Sequence, residues 1–203
     1  MKTMRNRFVR VLAAMAAAVL VFGSAAALAA DKTTVTVSGV TIADKTYDGA
    51  AIAPSGTPAA YDGETQVSAA AGDFTYLYES TDGAGYSSST APKNAGAYQL
   101  TVSVSNDTYE GAGTPMAFTI SKAALTIEPD AGKTRYAGMP DPTFTYTYSG
   151  AITGETPAFT GALAGAAGES ATEGVYAITI GTLAAADNGT FLANNYALAV
   201  ASG

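Results

Sequence analysis

Chemistry in this chain has to come from carboxylates, tyrosines and lysines, because its 203 residues include no Cys, His or Trp. The missing Cys and His exclude a thiolate nucleophile, a Ser-His-Asp triad, an imidazole base and an ordinary zinc or copper site. The missing Cys also excludes a disulfide framework. Seventeen acidic side chains would suffice for paired-carboxylate glycoside cleavage. Nothing clusters them, however, and several sit beside Gly in turn dipeptides. The expectation is a protein that is not an enzyme, with no catalytic residues, no cofactor and no metal site.

Four smaller patterns invite a site and have plainer readings. Gly132-Lys133-Thr134 resembles the end of a phosphate-binding loop, but the glycine required five residues earlier is Ile127, and a turn stands where the helix should follow. Asp187-Asn188-Gly189 offers oxygens to Ca²⁺ without the spaced acids and closing Glu of a calcium loop, so it reads as a hairpin turn. The sequons Asn106-Asp107-Thr108 and Asn188-Gly189-Thr190 read as chance matches. A Lys-to-Asn isopeptide crosslink would suit a cysteine-free stalk, and needs a Lys, an Asn or Asp and an acid buried together.

Twelve tyrosines suit a sugar-binding face. Tyr98, Tyr176 and Tyr196 alternate with aliphatic residues and are expected in cores, with the phenol reaching a rim. Tyr146 and Tyr148, in a Thr-rich strand, are the least committed.

The elements that must position these residues are strands. Val35/Val37, Phe74/Tyr76/Tyr78, Tyr98/Leu100/Val102/Val104, Phe118/Ile120, Leu125/Ile127, Phe144/Tyr146/Tyr148, Tyr176/Ile178/Ile180 and Tyr196/Leu198/Val200 alternate with small or polar residues, the half-buried strand pattern. Asp48-Gly49, Asp62-Gly63, Asp82-Gly83 and Asn188-Gly189 supply the positive φ of tight hairpins. This predicts an antiparallel, meandering architecture, with a short helix credible only at Gly154 to Gly168. Ser121-Lys122-Ala123-Ala124 leaves no room for a coil between the runs on either side, so two units are expected to be fused end to end with restricted bending.

The first thirty residues read as a signal peptide. Lys2, Arg5, Arg7 and Arg10 precede the apolar stretch Val11 to Gly23 and an Ala27-Leu28-Ala29 cleavage pattern. The apolar stretch is short for a membrane span, so none is expected after cleavage. Removing these residues leaves six basic against seventeen acidic side chains, a net charge of −11. The six are scattered singly, which argues against nucleic acid as a partner.

The chain echoes itself. Thr46-Tyr47-Asp48-Gly49 parallels Arg135-Tyr136-Ala137-Gly138, and Gly96-Ala97-Tyr98-Gln99-Leu100 parallels Gly174-Val175-Tyr176-Ala177-Ile178. Tyr47 and Tyr136 are therefore expected at equivalent turn entries, each ring covering the end of a core.

These residues carry a resemblance. Leu125-Thr126-Ile127, Arg135-Tyr136-Ala137-Gly138-Met139-Pro140, Gly161-Ala162-Leu163, Gly174-Val175-Tyr176, Gly181-Thr182-Leu183 and Asn195-Tyr196-Ala197-Leu198 resemble the MBG ("mostly β-grasp") repeat of bacterial surface adhesins. Asp44-Lys45-Thr46-Tyr47-Asp48-Gly49 with Lys93-Asn94-Ala95-Gly96-Ala97-Tyr98 is similar to the related YDG-type repeat. The resemblance implies a mostly β protein of two tandem β-grasp-like or Ig-like modules, residues 31–122 and 123–203, after the signal peptide 1–30. It also implies a closing strand after Asn195-Tyr196, so the second module is expected to lack its last strand.

The implied function is that of a secreted or cell-surface structural repeat, a stalk or adhesion module. Its partners would be an extracellular protein or a glycan, with edge-strand self-association open. The alternative is a discrete glycan- or protein-binding module with a tyrosine-lined face.

Overall fold

Alternating residues form strands here wherever one face meets a core. The computed structural model describes residues 31–166 and 172–201, and the expected signal peptide lies outside them. Up to Ser121 the strands are β1 (Thr33–Thr41), β2 (Lys45–Thr46), β3 (Ser55–Asp62), β4 (Thr65–Val67), β5 (Phe74–Ser80), β6 (Ser87–Ser88), β7 (Gly96–Ser105), β8 (Tyr109–Ala112) and β9 (Met116–Ser121). They form one sheet in the order β2-β9-β7-β8-β1-β3-β4, with β5 pairing β7 and β6 pairing β5. After Lys122 come β10 (Ala123–Pro129), β11 (Tyr146–Ser149), β12 (Ala158–Thr160), β13 (Ala164–Gly165), β14 (Ile178–Thr179), β15 (Ala184–Ala186) and β16 (Tyr196–Val200). These make a three-stranded sheet, β11-β10-β16, and the pairs β12-β15 and β13-β14.

Strand membership thus changes at Lys122, the single residue between β9 and β10. The core does not change there. One buried cluster includes Tyr78, Tyr98, Leu100, Phe118 and Ile120 from the first half, together with Ala123, Leu125, Phe191 and Tyr196 from the second. Ile127, Leu163 and Leu183 form a smaller second cluster. The described residues from Thr33 onward belong to one unit through this shared core.

Two expectations are corrected. The sheets are mixed, since β1 runs parallel to β8, β2 to β9 and β10 to β16. A parallel neighbour requires a long crossover, and the tight Asp-Gly turns report only local antiparallel steps such as β3-β4, closed at Gly63 with φ +60°. The predicted helix near Gly154 is replaced by β12 and β13, and the described residues contain no α-helix. Gly154 and Gly161 take φ of +88° and +77°, left-handed values that a right-handed helix does not contain.

One arrangement occurs twice. β1 lies between antiparallel β3 and parallel β8, with Thr33 opposite Tyr109. β10 lies between antiparallel β11 and parallel β16, with Ala123 opposite Tyr196.

Candidate functional site

A polar network joins the two halves, and its centre is Glu155. The turn Ile152–Glu155 is closed by the Glu155 N–H on the Ile152 carbonyl at 2.9 Å, which presents the carboxylate to two phenols. Tyr47 Oη donates to Oε1 at 2.5 Å, and Tyr196 Oη donates to Oε2 at 2.7 Å. The Ile152 N–H donates to Tyr196 Oη at 3.0 Å. The Tyr47 and Tyr196 rings meet edge to face at 5.5 Å, and Phe191 stacks on Tyr196 at 4.7 Å.

Both tyrosines are buried, each 4 % exposed. Burial first, and then the Glu155 carboxylate, push the Tyr47 phenol up to about 12. Burial likewise raises Tyr196. Phenols held this way stay protonated at neutral pH and act as fixed donors.

A second contact stands beside the first. Asn195, at 2 % exposure, is the buried polar residue of the core. Its Oδ1 accepts the Ala95 N–H at 2.9 Å, and its Nδ2 donates to Asn94 Oδ1 at 3.2 Å. Tyr98 Oη closes the same loop on the Asn94 carbonyl at 3.0 Å. At the rim, Lys122 Nζ donates to Asn194 Oδ1 at 3.1 Å. Every buried side-chain nitrogen and oxygen among the described residues has a partner, so the network binds the halves together and leaves no donor aimed at a ligand.

Sequence reasoning missed Glu155 and the role of Asn94. The available signal was Gly154-Glu155 matching Gly72-Asp73, each acid closing a four-residue turn.

The other expected residues are dispersed. Tyr98 and Tyr196 are core residues, but Tyr176 is 46 % and Tyr136 87 % exposed. β7 is covered on both edges, and Phe118 of β9 stacks on Tyr98 at 5.5 Å. β14 pairs only with β13, so Tyr176 has no such neighbour among the described residues. Tyr47 is buried because Tyr196 and Glu155 cover it, and Tyr136 meets no corresponding cover among the described residues.

Tyr146 and Tyr148 both pack on Phe159, at 5.7 and 5.4 Å. An open groove of about 430 Å³ beside the junction is lined by Asp82, Gly96, Thr119, Lys122 and Asn194, without an aromatic ring.

The Lys122–Asn194 pair is exposed, and neither ion pair among the described residues, Lys45–Asp48 or Arg135–Asp141, brings a carboxylate to it. The buried triad of an isopeptide is therefore not assembled there. Asn188 and Phe191 exchange backbone hydrogen bonds of 2.9 Å around Gly189, a hairpin turn, and Asp187 Oδ1 is taken by the Ala193 N–H. Gly132-Lys133-Thr134 lies in the loop after β10 with no helix following. Both sequon amides are engaged, Asn106 Nδ2 with Asp73 and Asn188 Nδ2 with the Thr156 carbonyl. Among the described residues no three acidic side chains gather at a metal-binding spacing.

With Glu155, Asn195 and Tyr196 placed on one face of the second half, the family comparison becomes informative. Residues 125–203 match the model of the MBG domain (YGX type). No curated protein and no solved structure matches the chain. The MBG region supplies Glu155, Asn195 and Tyr196, while Tyr47, Asn94 and Ala95 lie outside it. The junction therefore joins the region that matches the MBG model to the strands that precede it. No helix among the described residues is long and apolar enough to cross a membrane.

Proposed function

We propose that the chain is an exported structural spacer of a surface protein, a stalk or adhesion module, with a signal peptide at 1–30 and tandem modules at 31–122 and 123–203. MBG domains occur in surface proteins, which supports this reading. The observation that carries it is the junction. Hydrogen bonds from Tyr47 to Glu155 and from Ala95 to Asn195 clamp two halves that only Lys122 separates. Flexible linkers decouple domains through Gly/Ser-rich coil, and a clamp of this kind transmits orientation and load instead.

Small-angle scattering of the chain from residue 31 tests the reading. A compact globule of this length has a radius of gyration of about 15 Å, and a spacer is expected to exceed it clearly. A value at the compact limit would sink the spacer reading.

A further inference from the structure

The junction face of the first half and its counterpart in the second differ in cover. Tyr136, Met139, Val175 and Tyr176 are exposed large apolar side chains, and they fall on two loops of the second half. The loops are tied together: Arg135 Nε pairs with Asp141 Oδ1 at 2.8 Å, Asp141 Oδ2 accepts the Gly165 N–H at 2.8 Å, and β13 pairs Gly165 with Ile178.

The matching loops of the first half enter the junction. The match is geometric as well as sequential. Tyr98 Oη bonds the carbonyl of Asn94, four residues back, with its ring across Gly96. Tyr176 Oη bonds the carbonyl of Thr172, also four back, with its ring across Gly174. Tyr47 and Tyr136 each stand two residues before a glycine of positive φ, Gly49 at +79° and Gly138 at +77°.

The backbone of the receiving face is also present twice, with Asp73 Oδ2 taken by the Ala70 N–H and Asn106 Nδ2 where Glu155 accepts two phenols. Glu155 closes the turn from Ile152, and Asp73 closes the turn from Ala70 with its N–H on the Ala70 carbonyl at 3.0 Å. Tyr196 opens β16 opposite the first residue of β10, and Tyr109 opens β8 opposite the first residue of β1. Tyr196 is buried under Tyr47, whereas Tyr109 and Asp73 are only half-buried.

We propose that the face carrying Tyr136, Met139 and Val175 docks on the Asp73–Tyr109 end of a second copy of the chain. This repeats between molecules the contact already made within each one, and it rests on reading the chain as two tandem modules. Tyr136 takes the place of Tyr47, and Asp73 that of Glu155. The two faces are different, so the contact is heterologous and does not close, and copies add head to tail. Thr108 replaces the buried Asn195, and no covalent link raises the local concentration. The intermolecular contact is therefore weaker than the internal one.

Sedimentation velocity of the chain from residue 31, from micromolar to millimolar and at moderate salt to screen its negative charge, tests this. The expected result is a weight-average sedimentation coefficient that rises with concentration without levelling at a dimer. Tyr136→Asp with Val175→Asp blocks one end, and Thr108→Arg blocks the other. All three side chains are exposed, and melting curves confirm that each variant is folded. Each blocked protein alone is expected to be monomeric, and their mixture to stop at a one-to-one dimer. A monomer throughout the range, a closed dimer of the unmodified chain, or association indifferent to both blocks would overturn the proposal. An extended dilute monomer that never associates would overturn this contact and leave the spacer reading standing.

Discussion

Replacing Asn195 by Ala removes the amide that links the MBG region to the loop before β7. Two hydrogen bonds go, the Ala95 N–H to Oδ1 at 2.9 Å and Nδ2 to Asn94 Oδ1 at 3.2 Å. The losses are unequal. Asn94 is exposed and its amide returns to water, so that bond counts for about 0.5–1 kcal/mol. The Ala95 N–H is left against the site of a side chain only 2 % exposed, and an orphaned donor costs about 1–3 kcal/mol. The sum is about 1.5–4 kcal/mol. At about 2–4 °C per kcal/mol for a body of this size, the melting temperature falls by about 3–16 °C. Thermal and urea denaturation followed by circular dichroism read both quantities, with Asn194→Ala, which loses only the exposed rim bond from Lys122, as the control. An Asn195→Ala cost no larger than that of Asn194→Ala would refute the reasoning, since it would mean that the buried amide holds nothing the exposed one does not.

Two further outcomes are expected. Gly49→Val places a β-branched residue at φ +79°, with its Cβ 3.3 Å from Ile152 Cγ2, and should destabilise the protein by about 1–3 kcal/mol, read from urea midpoints. Tyr47, raised from 10.0 to about 12, binds its proton more tightly folded than unfolded. Its contribution of about 2–3 kcal/mol is therefore fully present below pH 10 and lost as pH rises toward 12. Tyr47→Phe should flatten that part of the stability–pH curve, and an unchanged slope would contradict the assignment.

What was legible in the residues was whatever depends on near neighbours. Phe118, Ile120, Leu125 and Ile127 alternate and are all buried, because strand geometry sends every second side chain to the same face. Asp48-Gly49 and Asn188-Gly189 turn where positive φ is needed, since that preference is local to glycine. What was not legible depends on distant segments. Glu155 sits in a Gly-rich stretch that mimics a short helix, and its meaning comes from Tyr47, 108 residues away. The same alternation surrounds Tyr98 and Tyr176, but Tyr98 lies within β7 between two paired strands, whereas Tyr176 precedes the short β14 and stands outside any strand. Parallel pairing escaped for the same reason, because hairpin signals say nothing about the strand that returns after a crossover.

The contact between Asn195 and the Ala95 loop spans 100 residues, and this imposes an order in time. As the chain is made from its amino end, the nine-stranded sheet is complete once Ser121 is available, while the ring of Tyr47 and the Ala95 N–H still wait for partners near the other end. Domains generally fold as they emerge, so the first half passes through a stage with an uncovered tyrosine and an unmet backbone donor. The clamp closes last. Until residue 196 arrives, the protein's vulnerability to proteases and to premature association is concentrated at the surface that later becomes the junction.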